Sequence, residues 1–127
     1  MAGKAYLQQA AGSLRQAAAA LRSDAQNMLS QATAEKQQHE ARAKDAESKR
    51  NVAIAALAAA DNDDQTRGDI LRKQIMDAER ESNDAQAKAR DSEAAGNQRA
   101  QAADSAAKEA ESIAGAVDRL LGRSDFE

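Results

Sequence analysis

Only one stretch of this chain is built to turn. The run Asp61-Asn62-Asp63-Asp64-Gln65-Thr66-Arg67-Gly68-Asp69 gathers turn-forming residues close to the midpoint, and proline is absent from all 127 residues. Asn, Asp and Gly favour turns through local hydrogen bonding and backbone freedom. The Ala, Gln, Glu, Lys and Arg that fill most of the remainder lose little rotamer freedom in a helix. One break and no proline leave two helix-favouring halves of about 60 residues each. The pattern predicts a single hairpin over residues 1–127, with helix 1 at about 4–61, a turn at about 62–65, helix 2 at about 66–121 and a short tail at 122–127. Thr66 followed by Asp69 has the Thr-x-x-acid form of a helix start, Asp or Thr side chains of the turn are expected to cap helix 2, and Gly122 supplies a stop.

Seven-residue spacing predicts that the two helices pair. Leu7, Leu14, Leu21 and Met28 recur every seventh position, with Ala11, Ala18, Ala25 and Ala32 four positions after each. This is a seam of alternating large and small knobs. In the second half, Ile75, Ser82, Ala89, Gly96, Ala103, Ala110 and Val117 form one such series. Leu71, Ala78, Ala85, Ser92, Arg99, Ala106, Ile113 and Leu120 form the other, broken only by Arg99.

The placement of the large residues predicts an antiparallel arrangement. Folding the chain back near residues 64 and 65 brings Val52, Ile54 and Leu57 towards Leu71, Ile75 and Met76. At the far end it brings Leu7 and Leu14 towards Ile113, Val117, Leu120 and Leu121. Between these ends no Leu, Ile, Val or Met occurs from Ser30 to Asn51 or from Asp77 to Ser112. Ala, Ser and Gly at the middle seam positions let helix axes approach to about 8 Å, the short end of the usual range. The seam resembles the alanine coil, a close-packed antiparallel coiled coil. The expected fold class is therefore all-α: a long antiparallel two-helix coiled-coil hairpin that packs into larger helical assemblies.

The expectation of larger assemblies comes from composition. Alanine supplies 34 residues, whereas Leu, Ile, Val and Phe together supply 15. So small an aliphatic share offers little apolar surface to offset the entropy of ordering two long helices. Alanine also falls on more than one helix face, at Ala17 to Ala20, Ala55 to Ala60, Ala94-Ala95, Ala102-Ala103 and Ala106-Ala107. A second packing face against neighbouring copies is expected. The self-association residues expected are Tyr6, Leu7, Leu14, Leu21, Met28, Ile54, Leu57, Leu71, Ile75, Ile113, Val117, Leu120, Leu121 and Phe126. Tyr6 and Phe126, the two aromatics, would share one end of the hairpin and mediate end contacts.

Sites for chemistry are sparse. His39 is the sole histidine, with Glu35 one helical turn before it, and a metal site there would need ligands from other helices. There is no Glu-x-x-His on both helices of the kind used by di-iron bundles. The turn carries carboxylates at 61, 63, 64 and 69, but an EF-hand would want Gly and Glu where Thr66 and Arg72 stand. Basic residues alternate with acids, as in Arg42-Ala43-Lys44-Asp45-Ala46-Glu47-Ser48-Lys49-Arg50, so no positive face or aromatic platform suits nucleic acid. Pairs such as Glu40 with Lys44 and Asp45 with Lys49 fit intrahelical salt bridges instead. No phosphate loop or cysteine nucleophile occurs, so neither enzymatic activity nor a cofactor is expected.

The N-terminus lacks the apolar core of a signal peptide, and the run from Val52 to Ala60 is about half a membrane span. A cytoplasmic location, or export by a signal-peptide-independent route, is expected. The leading functional expectation is a structural, self-assembling subunit of a filament, tube or coat, whose partner is itself. A helical adaptor or secretion-associated module that binds another helical protein is the alternative. WXG-type secreted hairpins are similar in outline, although their Trp-x-Gly turn is missing here. Gln31-Ala32-Thr33-Ala34-Glu35-Lys36-Gln37-Gln38 resembles the repeats of late-embryogenesis-abundant proteins, which implies a stress protectant that is disordered when hydrated. A membrane-remodelling coat is a narrower variant; residues 1–22 would supply its anchor, and neither membrane nor nucleic acid is otherwise expected as a partner.

Overall fold

The computed structural model describes residues 2–60 and 63–123, and these are all-helical apart from the connection and the chain ends. Helix α1 spans Ala2–Ala59 and α2 spans Gln65–Leu121. They pack against each other as a helical hairpin. Phe126 lies outside the described residues, as do Asp61 and Asn62.

At the start of α2 the structure selects between the Asp and Thr side chains expected to cap it. Asp64, not Thr66, is the cap: its Oδ1 accepts a 3.0 Å hydrogen bond from the Arg67 amide, while its carbonyl accepts the first helical bond from Gly68 at 3.1 Å. A carboxylate three residues before an orphan amide satisfies that donor and sits favourably at the positive end of the helix dipole. Thr66 is thus already inside the first turn. Helix α1 ends two residues earlier than expected, closing with a tighter bond from the Ala60 amide to the Leu57 carbonyl at 3.2 Å. At the other end, α2 stops at Leu121 before Gly122, as the glycine predicts. No described glycine takes the left-handed conformation.

The chain divides into two compact units, Met1–Gln31 with Ala95–Glu127, and Ala32–Ala94. In the first, Ala25, Ala100 and Ala103 form a buried cluster. Arg15 is paired with Asp118, and Arg22 with Glu111. In the second, Lys36 Nζ lies 3.0 Å from a Glu93 carboxylate oxygen. Gln86 there donates to Glu47 at 3.4 Å and to Ser82 Oγ at 3.5 Å. Within α1, Asp45 and Lys49 pair at 3.6 Å as expected, and Glu40 lies 3.9 Å from Lys36.

Burial follows each helix in steps of three and four residues. Along α1, Ala11, Ala18, Ala25, Ala32, Ala46 and Ala53 are buried one or more heptads apart. Leu7, Leu14, Leu21 and Met28 are half-buried beside them. Two consecutive steps of four, Met28 to Ala32 to Lys36, then move the inward row by one residue, so that Lys36, Ala43, Arg50 and Leu57 continue it. Helix α2 does the same at Ser92, Gly96 and Ala100, after which Ala107, Ala114 and Leu121 face inward. Arg99, Ile113 and Leu120, placed in the seam by unbroken heptad counting, consequently turn outward. Near the turn, Leu57, Leu71 and Ile75 are covered, but Val52, Ile54 and Met76 are exposed.

Candidate self-association surface

The core is small in every sense. Of the buried hydrophobic residues among those described, Leu71 is the one larger than alanine, and Ala18, Ala85, Ala107 and Ala114 are wholly inaccessible. Alanine at the closest approach excludes bulk and lets backbones come together. The larger residues are pushed to the margins or out of the contact altogether.

Among the expected association residues, Leu7, Leu14, Leu21, Met28, Leu57, Ile75, Val117 and Leu121 are half-buried between the helices. Leu71 is buried, at 7% exposure, whereas Tyr6, Ile54, Ile113 and Leu120 are exposed at 77%, 45%, 54% and 41%. Sequence reasoning missed Ile70 and Leu29, which are also exposed. Each stands one residue from an inward-facing position, Leu71 or Met28, and a one-residue step turns a helical side chain by about 100°.

In the unit of Met1–Gln31 with Ala95–Glu127, the two flanks of the helix pair differ sharply. One flank follows Leu7, Leu14 and Leu21 by one residue and carries Arg15 and Arg22; on α2 it carries Glu111 and Asp118. Both arginines bridge there to the other helix, and Arg22 does so with two nitrogens, Nη2 lying 2.9 Å from Glu111 Oε2. The opposite flank precedes the inward-facing Ala11, Ala18, Ala107, Ala114 and Leu121 by one residue and carries Ala10 and Ala17 on α1, with Ala106, Ile113 and Leu120 on α2. Tyr6 lies on the same side.

The unit Ala32–Ala94 has a different character. Lys36, His39 and Arg50 occupy inward-facing positions of α1, and Ser82 and Ser92 those of α2. The hydrogen bond and charge of Glu93 hold the Lys36 ammonium above the ordinary lysine value. His39 Nδ1 and Arg50 Nε are buried without a hydrogen-bond partner. An apolar groove of about 560 Å³ runs beside the seam near the turn, lined by Val52, Ala53, Ala56, Leu71 and Ala78 with Lys49, Asp77 and Glu81 among its polar margins. In the turn, Asp64 is engaged as the helix cap, and Asp69 pairs with Arg72 at 3.1 Å. No group of three or more potential metal-ligating side chains occurs among the described residues. No described helix is long and apolar enough to cross a membrane.

No protein-family model, curated protein or solved structure matches this chain.

Proposed function

We propose that this chain is a structural, self-assembling subunit: an antiparallel, alanine-coil-like hairpin that stacks with copies of itself into a filament, tube or coat, without catalytic activity. The observation that carries the reading is the inversion of sizes. Among the described residues the buried hydrophobic ones are alanine apart from Leu71, while Tyr6, Val52, Ile70, Met76 and Ile113 are each more than half exposed. A helix pair that buries mostly methyl groups gains little from the hydrophobic effect, since each square ångström of apolar surface contributes only about 25 cal/mol. The bulky residues have the surface to contribute, and they lie where only a neighbour can cover it.

The antiparallel register is supported by a mirror relation about Asp64. Inward-facing positions pair at equal distances from it, as 25 with 103, 14 with 114 and 57 with 71. Even the double four-residue steps, 28-32-36 and 92-96-100, mirror one another. A matched change of phase keeps both inward rows facing each other, where a slip in one helix alone would separate them; such an inserted step locally unwinds a coiled coil.

Size-exclusion chromatography with light scattering, followed by negative-stain microscopy at two protein concentrations, tests the proposal. Defined oligomers, filaments or tubes are expected. A concentration-independent helical monomer would overturn it in favour of an adaptor for another helical protein. A monomer without helical circular dichroism would favour a protectant.

A further inference from the structure

We infer that a second copy of this chain docks on the uncharged flank formed by Ala10 and Ala17 of α1 and Ala106, Ile113 and Leu120 of α2, with Tyr6 at its rim. This rests on the self-association reading and assigns it a surface and a symmetry.

The two flanks of this unit have the same geometry but opposite chemistry. Ion pairs Arg15–Asp118 and Arg22–Glu111 close one of them and leave it hydrated. On the other, the positions adjoining the seam hold no charge for three heptads. Ile113 and Leu120 are nonetheless 54% and 41% exposed, and Tyr6 is 77% exposed. An apolar flank beside an ion-paired one is what helices show when a further layer covers one side only.

The flank is complementary to itself. Its large residues, Ile113 and Leu120, stand one heptad apart on α2, and its small ones, Ala10 and Ala17, stand one heptad apart on α1. The buried Ala25–Ala103 cluster sets the level of the two helices, so that Ala17 lies nearest the height of Ile113 and Ala10 nearest that of Leu120. A two-fold axis running along the helices, between two hairpins laid face to face, sets α2 of each copy over α1 of the other at equal height. Leu120 then meets the partner copy's alanine at position 10, and Ile113 the one at position 17, twice over, as an isologous interface requires.

The apolar flank ends at Asp24 on α1, which lies nearest the height of Ala106, and at Arg99 one heptad beyond Ala106 on α2. Covering Tyr6, Ile113, Leu120 and the alanines between them supplies part of the roughly 800 Å² per partner that a specific interface buries. A net charge of −3 offers little repulsion between copies.

The test compares the full chain with its Ile113→Lys/Leu120→Lys variant by light scattering across a concentration series. Both side chains are exposed and lysine is a good helix former, so circular dichroism should be unchanged while association weakens at least tenfold. A control, Arg15→Gln/Asp118→Asn on the other flank, should associate as the wild type does. The chain has no cysteine. Mixing an Ala17→Cys chain with an Ile113→Cys chain under oxidation should therefore give a disulfide-linked heterodimer in excess over either homodimer. Wild-type assembly with neither lysine sensitivity nor preferential heterodimer formation would overturn the assigned surface and leave self-association standing. A wild type that stays monomeric at every concentration would overturn both.

Discussion

Arg22 and Glu111 join the two helices through both guanidinium terminal nitrogens and both carboxylate oxygens, one heptad from the matching pair of Arg15 and Asp118. The forked geometry fixes which side of the helix pair is polar. It adds little stability, because both side chains are close to half exposed and water screens them. A double-mutant cycle of Arg22→Ala and Glu111→Ala is expected to give a coupling below about 1 kcal/mol that shrinks further in high salt. A coupling of several kcal/mol in urea denaturation would mean that the pair is shielded from water in solution.

The cap on α2 gives a sharper signal. Asp64→Ala leaves the Arg67 amide without its acceptor and is expected to cost about 1 kcal/mol, within the usual 0.5 to 2 kcal/mol for a lost cap. Thr66→Ala, inside the first turn, should cost clearly less. Thermal melts followed by circular dichroism check the order of the two variants; the reverse order would restore Thr66 as the cap.

That cap illustrates how far the sequence could be read. The turn was legible because Asp, Asn and Gly cluster once, yet several of its residues can cap a helix, and the backbone chose the one two positions earlier. The inward row of α1 was legible from Leu7 to Ala32 because leucine and alanine alternate there at fixed spacing. The change of phase at Ser92, Gly96 and Ala100 was not. Small residues carry no strong hydrophobic mark, so counting by sevens ran on to Arg99, Ile113 and Leu120. Hydrophobicity argues for Ile113 over Ala114, but a close helix approach selects the smaller side chain, and Ala114 is the one buried. The outward position of Ile113 and Leu120, which defines the candidate docking flank, follows from that choice.

Close packing makes the alanines intolerant of added volume. Ala107 is fully inaccessible, and Ala107→Leu is expected to destabilise by about 1 to 3 kcal/mol through forced separation of the helices. Ala19→Leu, on an exposed position of α1, should change stability by about 0.5 kcal/mol or less. Urea denaturation of the two variants separates the contributions. Equal effects would show that alanine at these positions reflects helix propensity alone.

His39 presents the opposite case, a polar side chain at an inward-facing position with a buried nitrogen that makes no hydrogen bond. Removing such a nitrogen from water without a partner costs about 1 to 3 kcal/mol, whereas an apolar replacement of similar size carries no such penalty. His39→Leu is therefore expected to raise stability by about 1 kcal/mol, with some loss to imperfect fit opposite the small seam residues of α2. His39→Ala removes the same penalty but also the packing of the ring, and should fall below the leucine variant. Chemical denaturation of the wild type and both variants under one set of conditions gives the comparison. A clear loss of stability in both variants would mean that the imidazole makes a polar contact in the assembled protein, and would move His39 from a tolerated seam residue to part of an interface.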